Sequence, residues 1–153
     1  MGFWTDLGAS INEATQGLQN QMAQFKNAKF ADAAMAMCAL VAKGSEGGSV
    51  DAVERQKTFK LIQKNKLLEV FDMKDLKVKF DAHCAELEDD FDFGKMECLA
   101  AIAKVKGKAG QDRAVIQIGV IIGGSDLDFD DDEKQMCREG CHAVGIDPGT
   151  FDL

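Results

Sequence analysis

AVIQIGVIIGGSDLDFDDDEKQMCREGCHAVG, residues 114–145, is the stretch on which the fold turns. Its first eleven residues are rich in β-branched side chains and, alone, read as a buried strand. A second stretch decides against that. In GSEGGSVDAVERQ (44–56) and GGSDLDFDDDEKQ (123–135), Val50-Asp51-Ala52-Val53-Glu54-Arg55-Gln56 falls on Phe129-Asp130-Asp131-Asp132-Glu133-Lys134-Gln135 at a constant offset of 79 residues. Each copy follows an apolar, small-residue segment ending at glycine, Gly44 or Gly123. The first of those segments, FADAAMAMCALVAKG (30–44), has the length and composition of a buried helix. Its counterpart at 114–124 therefore reads as helix as well. Two helix–acidic loop–helix units, about 30–66 and 112–145, imply one all-α domain over 1–153 with pseudo-twofold symmetry. That symmetry would bring the acidic loops near each other.

The remaining helices are legible from periodicity. Phe3, Leu7, Ile11, Ala14, Leu18, Met22 and Phe25 step by three or four, as on one face of an amphipathic helix. The opposite face lacks the Lys and Arg of a membrane-surface helix, so this stripe is expected to dock on the protein's own core. SVDAVERQKTFKLIQKNK (49–66) starts with Asp51 as a cap and Glu54 three residues on. Further helices fit within 72–90, 91–107 and 130–145. In the helix of 91–107, Phe93, Met96, Ala100 and Ala103 form the expected buried stripe. The sum is about seven helices, with a central four-helix bundle core and flanking elements.

Composition narrows the function classes. Among 153 residues, 18 are basic and 26 acidic, a net charge of −8. A general nucleic-acid binder needs the opposite sign, so no nucleic-acid partner is expected. No apolar run approaches the ~20 residues of a membrane span, which argues against direct membrane insertion. MGFWTDLGASINEA lacks the basic and apolar regions of an export signal, and the five cysteines follow no framework spacing. Reduced thiols in a cytoplasm are the simplest expectation.

Residues 126–133 concentrate six carboxylates: Asp126, Asp128, Asp130, Asp131, Asp132 and Glu133. A helix N-terminus stabilises some of them. Asp130 at the cap and Glu133 three residues on satisfy free N–H groups and meet the helix dipole. The others gain less, and two unit charges 4 Å apart repel by about 1 kcal/mol even in water. A bound cation would offset the surplus. Carboxylates are hard oxygen donors, suited to calcium, magnesium or manganese. Asp126, Asp128 and Asp130 alternate as in half an EF-hand loop, but Asp131 stands where its glycine belongs and Cys137 where its final glutamate does. The candidate ligands are Asp126, Asp128, Asp130 and Glu133, joined from the first unit by Glu46, Asp51 and Glu54. A solvated acidic cap remains the alternative.

The segments AAMAMCALVAKGSEGGSVDAVERQ and IIGGSDLDFDDDEKQMCREGCHAVGIDPGTF, with Gly145, Pro148 and Phe151 in the closing turn, resemble the tellurite-resistance family TerB. The resemblance runs over essentially the whole chain. It implies an all-helical, non-enzymatic, cytoplasmic protein of a tellurium-ion resistance and stress-response system. It also implies divalent-cation binding by the repeat loops. The expected partners are other tellurium-resistance proteins, including an integral membrane protein that would hold the chain at the inner face of the membrane.

Two other readings stay open. RQKTFKLIQKNK (55–66) carries five basic residues and no acid, and ELEDDFDFGKME (86–97) is strongly acidic, so the chain could be a charge-segregated interaction scaffold. Alternatively, Cys137 and Cys141, one helical turn apart and beside His142, could meet tellurite as thiols. Buried structural cysteines are the plainer reading of that pair. His83 and Cys84, adjacent on a helix, point apart and form no catalytic couple.

Overall fold

A computed structural model describes residues 25–108, 110–125 and 129–153. Among these residues the secondary structure is helical throughout. The six α-helices are α1 (Ala28–Lys43), α2 (Ala52–Lys64), α3 (Met73–Asp89), α4 (Phe91–Ala103), α5 (Gln111–Gly124) and α6 (Asp131–Val144). Short 3₁₀ turns occupy Lys66–Leu68 and Pro148–Phe151. The stretch that could have been a strand is α5.

Helix α1 is the axis of the fold. Asn27 caps it, its side-chain oxygen accepting from Phe30 N at 2.8 Å. Gly44, at φ +73°, closes it with a bond to Leu40 O. From Phe30 to Val41 every residue except Asp32 is buried. A helix apolar on nearly all sides must be enclosed, and α3, α4, α5 and α6 pack around it. Small residues allow the close approach. A Cβ added to Gly119 of α5 would stand 2.6 Å from Met37 Cγ, and one added to Gly140 of α6 would stand 2.6 Å from Met37 Sδ. Met37 thus fills a seat that two glycines leave open, which is the close packing a protein interior requires.

The stripe Phe3, Leu7, Ile11, Ala14, Leu18 and Met22 lies outside the described residues. Its last member, Phe25, is buried, with its ring centroid 5.5 Å from that of Phe30. Among the described residues no helix is long and apolar enough to cross a membrane.

One expected face is corrected. Phe93, Met96, Ala100 and Ala103 of α4 point outward, with Phe93 52% and Met96 56% exposed. The buried face is Gly94, Cys98, Ala101 and Ile102. Helix α4 is apolar on both sides, so periodicity alone could not orient it. Size decides: a Cβ on Gly94 would come within 2.7 Å of the Glu86–Leu87 backbone, so only the small-residue face lets α4 fold back tightly on α3.

Candidate functional site: two acidic loops around one cavity

The first loop, 44–51, is shaped by its own backbone and by α3. Ser45 N donates to Lys43 O and Gly48 N to Ser45 O, at 2.8 and 3.0 Å. The Gly48 backbone lies directly against the Lys43 carbonyl, where no side chain fits. The Lys43 ammonium, only 6% exposed, donates to Gly48 O at 2.7 Å and to Glu88 Oε1 at 3.2 Å. The same Glu88 oxygen accepts Val50 N at 2.6 Å, and Arg55 Nε donates to Val50 O at 2.7 Å. The Val50 hydrogen bond, followed by the Lys43 and Arg55 charges, holds the Glu88 carboxyl below its usual range against a smaller opposing effect of burial.

Each loop then starts its helix the same way. Asp51 Oδ1 accepts Glu54 N at 3.0 Å. Asp130 Oδ1 accepts Glu133 N at 2.8 Å, and Glu133 Oε1 accepts Asp130 N at 3.4 Å, a closed capping box. The sequence repeat is therefore a structural repeat at its two helix starts.

The two starts face each other. A cavity of about 430 Å³ lies between them, lined by Lys43, Asp51, Glu54, Asp130, Asp132 and Glu133 together with the glycine-rich backbone of the first loop. Gly44 touches the second unit, since a Cβ there would stand 3.6 Å from Glu133 Cγ. Five carboxylates and one buried ammonium thus share one concave space. Of the seven ligands expected from sequence, Asp51, Glu54, Asp130 and Glu133 meet here. Glu46 is exposed and takes no part in the lining. Asp126 and Asp128 lie outside the described residues. Asp132 also lines the cavity, although by sequence it counted only toward the general surplus of acid; its place in the first turn of α6, beside Glu133, was the available signal.

An all-oxygen donor set fits a hard divalent cation. Among the described residues, no three carboxylate, imidazole or thiol groups already surround a common point. Asp51 and Asp130 each spend one oxygen on their caps, so an ion would be held by the remaining oxygens and by movement of the loops.

The thiols are arranged differently. All five cysteines are buried and unbridged. Burial pushes each thiol above its ordinary value, to about 12 for Cys84 and about 11 for Cys141. Cys137 and Cys141 face the core while His142 is exposed, so the three do not converge.

Sequence reasoning missed one constellation. His83 and Cys84 do point apart, but His83 Nε2 lies 2.7 Å from Asp32 Oδ1 and His83 Nδ1 lies 3.7 Å from Cys98 Sγ. The members come from α1, α3 and α4. No local spacing in the chain records such a meeting.

Against known proteins, the family model described as tellurite resistance protein TerB matches residues 31–153. That covers both loops and all six helices but for the first turn of α1.

The chain belongs to the TerB family.

This TerB-family chain is similar to a protein of an Alcaligenes species named tellurium resistance protein TerB, 25% identical over 120 residues. The alignment covers 78% of this chain and 97% of that relative. No solved structure matches it.

Proposed function

We propose that this TerB-family chain is a non-enzymatic, divalent-cation-binding component of a tellurium-ion resistance and stress-response system. The observation that carries the reading is the convergence of two Asp-x-x-Glu helix starts, Asp51/Glu54 and Asp130/Glu133, on one cavity. Like charges gathered across a concave space are repelled until a counter-ion enters. A calcium, magnesium or manganese ion would supply that charge, and the chain would respond by drawing the two loops together. Family membership, and the name of the Alcaligenes relative, support the resistance role. The ordered surface would then be offered to other tellurium-resistance proteins, including a membrane-embedded one, with the chain in the cytoplasm at the membrane's inner face.

The test is a titration of chelator-treated protein with calcium, magnesium, manganese and zinc, followed by amide NMR shifts. Localised, saturable shifts at residues 44–54 and 129–133 are expected. Asp130→Asn with Glu133→Gln removes two charges but keeps a good cap and the possibility of a capping box, so it should weaken binding while the domain stays folded. Unchanged binding would remove these residues from the site.

A second reading, a charge-segregated scaffold without a specific ion, draws on the exposed acids Glu86, Asp89, Asp90, Asp92 and Glu97 beside the exposed Phe93 and Met96. Partner binding that falls with salt yet ignores chelators would favour it. Direct thiol chemistry on tellurite is opposed by the burial and protonation of all five cysteines.

A further inference from the structure

The outward stripe of α4 has no part in the acidic cavity, and its role stands whether or not that cavity holds an ion. We propose that it is a docking surface for a second copy of this chain, the two α4 helices packing antiparallel about a twofold axis.

Phe93, Met96, Ala100 and Ala103 follow one another at intervals of three, four and three residues, the spacing of a coiled-coil seam. All four are exposed. On the α6 side the stripe runs into a shallow groove of about 430 Å³ lined by Leu99, Glu139, His142 and Ala143, which widens the apolar face. Size selects the orientation. The large residues occupy the first half of the stripe and the small ones the second. In an antiparallel pair centred at residue 98, Phe93 falls opposite the second copy's Ala103 and Met96 opposite its Ala100. Each large side chain then meets a small one, which close packing favours. A parallel pair would set Phe93 against Phe93 and leave the alanines facing a gap.

Charge selects the same orientation. Exposed Asp89, Asp90 and Asp92 lie at the start of α4, and exposed Lys104, Lys106 and Lys108 at its end. Antiparallel packing lays the acidic end of each copy on the basic end of the other, whereas parallel packing opposes like charges. Lys104 keeps helical backbone angles, φ −64° and ψ −20°, so it shares one edge of the stripe with Glu97. Helical side chains lean toward their own N-terminus. That lean aims Glu97 of one copy at Lys104 of the other, and the symmetry forms the pair twice. The acidic rim makes an anionic lipid surface a poor fit.

A helix of this length is about 20 Å long, and one such pair buries less than a standard interface, so a dissociation constant on the order of 0.1 mM is expected. The test is sedimentation equilibrium of the full-length protein in reducing buffer, from about 10 μM to 1 mM. Phe93→Ser should abolish association while leaving the helical circular-dichroism spectrum intact. Glu97→Lys and Lys104→Glu should each weaken it about 10-fold or more, because each opposes like charges at both symmetric pairs. An equimolar mixture of those two variants should restore the dimer, as should both changes in one chain; a merely structural role would show neither rescue. Asp130→Asn/Glu133→Gln should leave association unchanged, which separates this surface from the acidic cavity. Wild type that stays monomeric at 1 mM overturns the proposal, and so does a dimer indifferent to Phe93→Ser or a mixture that fails to associate. NMR contacts within one chain from residues 1–24 to Phe93 and Met96 would make the N-terminal stripe the occupant and overturn it as well.

Discussion

The Lys43–Glu88 contact makes the sharpest quantitative claim about the site. Replacing Glu88 by Ala removes two hydrogen bonds at once, from Val50 N at 2.6 Å and from Lys43 Nζ at 3.2 Å. It leaves Val50 N and a nearly buried ammonium to find other acceptors. Hydrogen bonds to charged groups contribute about 1.5–3 kcal/mol each, and breaking a fully buried pair costs about 3–5 kcal/mol. Here the Glu88 side chain is 37% exposed, so water can reach the vacated space and screening lowers both figures. Lys43 also keeps its bond to Gly48 O. A loss of about 2 kcal/mol is the expected result, measured by urea unfolding as a lower midpoint at unchanged slope. The loss should be local as well, with faster amide exchange confined to residues 44–51. Glu88→Gln, which keeps an acceptor for Val50, should recover about half of it. The pH dependence has a definite sign. Glu88 is depressed in the folded state, so its contribution is complete above the unfolded value of about 4.3 and fades as pH falls through the lower folded value. Wild type and Glu88→Ala should therefore converge in stability in strong acid. A stability change below about 0.5 kcal/mol at neutral pH, or exchange that quickens over the whole chain, would refute the idea that Glu88 anchors the first loop.

Other consequences follow from packing and charge. Gly119→Ala should cost about 1–3 kcal/mol by overpacking, and Met37→Ala in the same chain should relieve part of it, giving a favourable coupling in a double-mutant cycle. Asp130→Ala removes both the cap and one cavity carboxylate, so thermal unfolding should register about 1 kcal/mol of destabilisation together with weaker cation binding. Asp32 is depressed by His83, so its contribution is complete above the unfolded value of about 3.9 and is lost as pH falls through the folded one. Asp32→Asn should accordingly lower stability at pH 7 and make little difference near pH 2. Phe93→Ser, on an exposed face, should change the unfolding midpoint little, whereas Ile102→Ala on the buried face of the same helix should cost about 2–5 kcal/mol.

What the sequence determined by itself was whatever is written locally or by repetition. Helix length, the Asp-x-x-Glu caps and the glycine stops are local, because caps bond within three or four residues of themselves. The offset repeat went further: it turned 114–124 from strand to helix and implied that the acidic loops would meet, which Asp51, Glu54, Asp130 and Glu133 do. Where a helix is apolar on two sides, as α4 is, periodicity has no preferred phase. Only the backbone approach at Gly94 chose between the Phe93/Met96 face and the Cys98/Ile102 face. Glu46 belonged to the acidic pattern but falls outside the cavity, because the turn at Gly44–Gly48 points it to solvent. Lys43 could not be read as buried, since nothing near it in the chain announces the Glu88 that satisfies it 45 residues later. The Asp32–His83–Cys98 line was equally invisible. Its three members sit on three helices, and a hydrogen-bond chain between helices depends on their crossing and rotation, which the packing of small residues around α1 decides.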